Sequence, residues 1–66
     1  MGNMKISEVY PEYVFQRLQK YRVDAVDFGR MEYIDLTGQT VGAVQQLIAR
    51  AERGEGVKFY QIEPAE

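Results

Sequence analysis

Apolar positions along this chain change their spacing several times, and each change marks an element. Val14, Leu18 and Tyr21 repeat at i, i+4 and i+7, with Phe15 widening the stripe. Glu12, Gln16, Arg17, Gln19 and Lys20 fall largely off it. This predicts a short amphipathic helix over Pro11–Tyr21. Pro11 suits its first position, where a missing N–H removes no helical hydrogen bond. Ser7 is an alternative cap one turn earlier, but would leave Pro11 inside the helix. From Val23 the period drops to two. Val23, Ala25 and Asp27 alternate with Asp24, Val26 and Phe28. After Gly29-Arg30, Met31, Tyr33 and Asp35 alternate with Glu32, Ile34 and Leu36. Two strands about a glycine-containing turn predict a β-hairpin, with Gly29 supplying a positive φ. Its buried face carries Val26, Phe28, Ile34 and Leu36, or else Met31 and Tyr33, because a one-residue slip inverts the assignment.

Helical spacing returns with Val41, Val44, Leu47, Ile48 and Ala51 on one face. Thr37 or Thr40 caps this second helix, and Gly54 or Gly56 stops it. Gly42 and Ala43 near its start read as packing residues that let another backbone approach. Val57, Phe59 and Gln61 then alternate with Lys58, Tyr60 and Ile62, a final strand ended by Pro64. It completes a parallel crossover from the second strand, or pairs antiparallel at the other hairpin edge or with a second chain. The expected fold is one α+β domain over residues 1–66, ordered α-β-β-α-β. Two helices pack on one face of a three-stranded sheet. Residues 1–7 read as a polar or extended lead-in, and 64–66 as a tail. The expected core includes Val14, Leu18, Val26, Ile34, Val44, Leu47, Ile48 and Phe59.

Composition narrows the function more than the fold. A chain of 66 residues buries only about 60% of its unfolded surface, so it gains much from any added support. Cysteine and histidine are both absent. That excludes disulfides, thiolate zinc sites, and the commonest general base. Self-association, as a homodimer, is the support that remains. No apolar run approaches the roughly 20 residues of a membrane span, and no leader pattern is present, so a cytoplasmic location is expected. Ile6 stands where a myristoylation pattern needs Ser or Thr. Met1-Gly2-Asn3 reads either as a native start or as a remnant ahead of Met4.

The acids outnumber the bases by two. Lys5, Arg17, Lys20 and Arg22 exceed Glu8 and Glu12 in the first 22 residues, whereas the remainder is acidic. A strong basic footprint for nucleic acid is missing. Arg17, Lys20 and Arg22, interleaved with tyrosines on the first helix, nevertheless suit a small nucleic-acid-associated regulator. Asp27-Phe28-Gly29 copies a kinase magnesium motif by chance, without the loops that give it meaning. Gly38 to Gly42 at a helix start lacks the lysine and spacing of a phosphate loop. Asp24, Asp27, Glu32 and Asp35 have the spacing of a solvated strand face. No catalytic, cofactor-binding or metal-binding set emerges, and no enzyme is expected.

Eight aromatic residues are more than so small a core can enclose. Tyrosine brings apolar area with a polar tip, which favours interfaces. Tyr10, Tyr13, Tyr33, Phe59 and Tyr60 are the candidate partner-binding residues. The expected function is a non-catalytic protein-binding module or adaptor, acting through an aromatic patch or a sheet edge. Val57–Ile62 is the expected edge. The order of helix, glycine-turn hairpin and helix over residues 11–53 resembles small phage head–tail joining proteins. Arg22-Val23 opens the hairpin and Gly29-Arg30 turns it at similar places. The resemblance covers about two-thirds of the chain and implies a structural role of phage or mobile-element origin. The strand Val57–Ile62 departs from it.

Overall fold

The structure, a computed structural model, describes residues 4–64, with side chains from 5 to 63. The readings of Met1-Gly2-Asn3 and of the last two residues lie outside them. The element order is β-α-β-β-α-β. β1 spans Met4–Val9, and a 3-10 turn Pro11–Tyr13 leads into α1, Val14–Leu18. β2 is Arg22–Asp27, β3 Glu32–Asp35, α2 Val41–Glu52 and β4 Val57–Pro64. All pairings are antiparallel, in the order β1-β4-β2-β3. β1 and β2 therefore run parallel but never touch, because β4 lies between them.

The α+β class holds, whereas the three-stranded sheet and its order are corrected. The segment read as a lead-in holds β1, which pairs with β4 from Met4↔Pro64 to Val9↔Phe59. β4 is not an edge: it is bonded to β1 on one side and β2 on the other. The antiparallel alternative for the last strand is the one adopted. The edges are β1 and β3.

Local chemistry explains the helices. Thr40 Oγ1 accepts from the Ala43 amide at 3.1 Å, so Thr40 rather than Thr37 caps α2. Gly54, at φ 75°, supplies the left-handed stop. α1 is shorter than the stripe suggested, since Lys20 and Tyr21 both donate to the Arg17 carbonyl and close the helix early. Gly42 is exposed, and a Cβ there would meet nothing within 4 Å. Its packing role is therefore corrected.

Both helices cover one face of the sheet. Val14, Val44 and Leu47 pack there against Val9, Val23, Ala25, Leu36, Val57 and Phe59. Leu18, Ile34 and Ile48 complete the cluster from its margin. Val26 is the misplaced core residue: the buried face of β2 carries Val23, Ala25 and Asp27. An acid thus stands where the alternation would place an apolar residue. Asp27 is fully buried, with Oδ2 2.7 Å from Arg50 Nη2 of α2. The Arg30 amide donates to its other oxygen at 3.2 Å. The Arg50 approach is an ion contact whose angle leaves Oδ2 without a well-directed hydrogen bond. Arg50 also reaches Glu55, which in turn holds Arg53. This chain of charges ties the hairpin turn to the end of α2.

The turn itself differs from expectation. Met31 rather than Gly29 takes positive φ, at 53°. Gly29 instead serves close approach, since a Cβ there would lie 3.3 Å from the Glu55 carbonyl oxygen. The Phe28 amide donates to the Gly56 carbonyl at 2.9 Å, so two loops are sewn together beside that contact.

Candidate functional site

The face of the sheet away from the helices is uncovered, and strand alternation determines what it presents. Register places Ile6 opposite Ile62, and Ile62 opposite Arg22. Glu8, Tyr60, Asp24 and Asp35 form the next row. Lys58, Val26 and Tyr33 form the one after, with Phe28 beyond at the turn. Ile6, Val26, Phe28, Tyr33, Tyr60 and Ile62 line a shallow groove of about 320 Å³. Ile6 is 68% exposed, Tyr33 64% and Phe28 50%. An apolar group drawn from every strand and left in water is a feature that calls for a covering surface.

A polar corner flanks the groove. Asp24 is only 1% exposed although it belongs to the open face. Tyr33 Oη donates to Asp24 Oδ2, and Arg22 Nε donates to Oδ1 at 3.0 Å. Arg22 Nη2 lies 3.4 Å from Asp35. The hydrogen bond to Asp24, then burial, raises the Tyr33 hydroxyl above its ordinary value. The bond to Asp24 likewise raises the Arg22 guanidinium. Tyr33 is therefore fixed by its tip with its ring lying beside the groove. Asp35 is held low chiefly by the Thr37 amide, which donates to it at 2.8 Å.

A second concavity lies on the other side of the sheet, between the free edge of β1 and α1. Its volume is about 420 Å³, and Ser7, Glu8, Val9, Tyr10, Tyr13, Arg17 and Gln61 line it. Tyr10 and Tyr13 are both exposed.

The five sequence-derived partner residues therefore separate. Tyr33 and Tyr60 meet at the open face, Tyr10 and Tyr13 at the β1–α1 cleft. Phe59 is 1% exposed in the core and offers a partner no surface. Ile6, Val26, Phe28 and Ile62 were missed as site residues. The available signal was β4 itself, where Tyr60 and Ile62 alternate with Val57 and Phe59, giving a strand apolar on both faces. Arg17, Lys20 and Arg22 do not form one surface: Arg17 lines the cleft, whereas Arg22 is engaged on the opposite face. The four hairpin carboxylates are not one solvated face either. Asp24 and Asp27 are buried on opposite sides of β2. Among the described residues no group of three or more acidic side chains could hold a metal ion, and no helix is long and apolar enough to cross a membrane.

Comparison with family models, with curated proteins and with solved structures finds no match to this chain. The functional reading therefore rests on the geometry of these two surfaces.

Proposed function

We propose that this protein is a non-catalytic binding module that docks a protein partner on the open face of its sheet. The observation that carries this is the apolar group of Ile6, Val26, Phe28, Tyr33, Tyr60 and Ile62, drawn from all four strands and the hairpin turn. Four strands about 4.8 Å apart and six residues of about 3.3 Å each give a footprint of roughly 400 Å². That is the scale of a small, transient interface rather than an obligate one. The rim supplies direction, with Lys58 and Glu8 on one side and the Arg22–Asp35 pair on the other.

Phe28, Tyr33 and Tyr60 could also act as a stacking platform for single-stranded nucleic acid. Charge favours protein instead. Glu8, Asp24 and Asp35 outnumber Arg22 and Lys58 on this face, and Arg22 is already neutralised by two carboxylates. Membership of a larger assembly, including one of the phage type, is compatible with such a surface.

Ile6→Glu and Phe28→Ser test the reading, because both positions are exposed and neither joins the core. The parent should capture a protein partner from its source cell, or self-associate, by affinity capture and light scattering. Each variant should melt like the parent and lose that association. A parent that is monomeric and captures nothing, or variants that associate as well as the parent, would refute it. Retention of RNA or DNA that declines steeply with salt would favour the stacking reading.

A further inference from the structure

We infer that the edge of β1, together with the cleft beneath it, is a second binding site that takes an extended acidic peptide as a fifth strand. This goes beyond the open-face reading and uses a different surface. Among the described residues β1 pairs only with β4, so its outer backbone amides and carbonyls have no strand partner there. Ser7 and Glu8 are exposed along that edge. Glu8 belongs to the open-face row with Tyr60 and Asp24, so it lies on the side of β1 away from the helices. The other edge, β3, has only four residues, with acids on both faces, Glu32 and Asp35, and is poorly suited to an acidic strand.

An added strand would send alternate side chains to the two faces of the sheet. On the helix side they meet the cleft of about 420 Å³. Tyr10 and Tyr13 supply aromatic walls there, and Arg17 supplies a guanidinium. Lys5 shares this side of β1 with Ser7 and Val9, as the alternation from buried Val9 requires. Neither Arg17 nor Lys5 enters an ion pair among the described residues. Glu63 stands directly opposite Lys5 in the β1–β4 ladder, so Arg17 is the cation with carboxylate-binding capacity to spare, and a glutamate or a terminal carboxylate on the incoming strand is its complementary group. Backbone bonding would supply affinity, and the cleft would select the side chain.

The probes are three labelled peptides: acetyl-VEVEV-amide, its lysine counterpart acetyl-VKVKV-amide, and the acidic peptide N-methylated at alternate amides to block strand pairing. Fluorescence anisotropy on the full chain should give a Kd on the order of 100 μM for the acidic peptide. The lysine peptide should bind at least about fivefold more weakly, as should the methylated one. Arg17→Glu and Arg17→Gln, both on an exposed helical position, should weaken the acidic peptide while circular dichroism stays unchanged. Amide shifts on titration should fall on Ser7, Glu8, Val9 and Arg17 and spare Tyr33. Equal binding of acidic and lysine peptides overturns the proposal, as do shifts centred on Tyr33, affinity unaffected at Arg17, or no binding at millimolar concentration. Displacement of the peptide by self-association of the chain would assign the edge to a second copy and would equally overturn it.

Discussion

The division of the sheet into a packed face and an open face can be tested with one substitution made twice. Phe59 and Phe28 are the same residue in opposite settings. Phe59 sits in the central strand, 1% exposed, with Val9 and Ala25 as cross-strand neighbours. Phe28 is half exposed beside the groove. A domain of 66 residues at about 0.05–0.15 kcal/mol per residue has about 3–10 kcal/mol of stability. Truncating Phe59 to Ala would cost about 3–5 kcal/mol and leave too little to measure. Leucine keeps most of the volume, so Phe59→Leu should cost about 1–1.5 kcal/mol. With about 4–8 °C lost per kcal/mol in a domain this small, the melting midpoint should fall by about 5–10 °C. Phe28→Leu should stay within about 0.5 kcal/mol of the parent. Urea unfolding followed by circular dichroism, with matched slopes, reads both. Equal losses at the two sites would mean that the open face is packed in solution, and the account of the sheet would be wrong.

Other positions make independent predictions. Gly42→Ala should stabilise by about 1 kcal/mol, since the site is helical, exposed and open to a methyl group; a midpoint below the parent would contradict the absence of packing there. Met31→Gly should also stabilise, by up to about 1 kcal/mol, because Met31 is 84% exposed and left-handed at φ 53°; Gly56→Ala, at φ 84° and close to Gly29, should lose about 1–2 kcal/mol in the same chemical denaturation. Burial pushes the Asp27 carboxyl up, but Arg50 and the Arg30 amide outweigh it and hold the group below its ordinary value. Its folded form therefore binds a proton less readily than the unfolded chain, so the stabilisation is complete above about pH 4 and is lost as pH falls through the lower folded value. Asp27→Asn should flatten that acid limb, and parallel limbs for parent and variant would exclude the role. The raised Tyr33 works oppositely: its contribution is complete below about pH 10 and is lost as pH rises further. Ultraviolet absorbance should show a late tyrosine step, raised by the bond to Asp24, and Tyr33→Phe should remove it.

Much of the fold was legible where local chemistry and burial agree. α2 combines a one-sided apolar stripe with a threonine cap and a glycine stop at its two ends; the stripe placed the helix, and the structure chose Thr40 over Thr37 and Gly54 over Gly56. β1 was missed because an edge strand buries little. Of its described side chains only Val9 is buried, so there was no alternation to read. β2 was inverted because Asp27 faces inward and Val26 outward. The group that makes an inward acid tolerable is Arg50, 23 positions later, and no local pattern announces such a partner. The site was legible as a surplus of aromatics but not as two surfaces. Which side of the sheet each ring occupies depends on register, and register depends on β4 entering between β1 and β2.

That interleaving also governs how the chain can come together during synthesis. β1 and β2 leave the ribosome before β4, yet neither can bond to the other, and the strand that joins them is the last of the four to be made. Until Val57–Pro64 emerges, the core lacks Phe59 and Val57, and the β2–β3 hairpin has only itself to pair with. Such a hairpin is marginal in water. The nascent chain should thus remain unstructured and protease-sensitive until translation of the sheet is complete. The same geometry makes the protein a natural split reporter: residues 4–56 alone should be unfolded, and a peptide carrying 57–64 should restore the sheet by inserting into its middle.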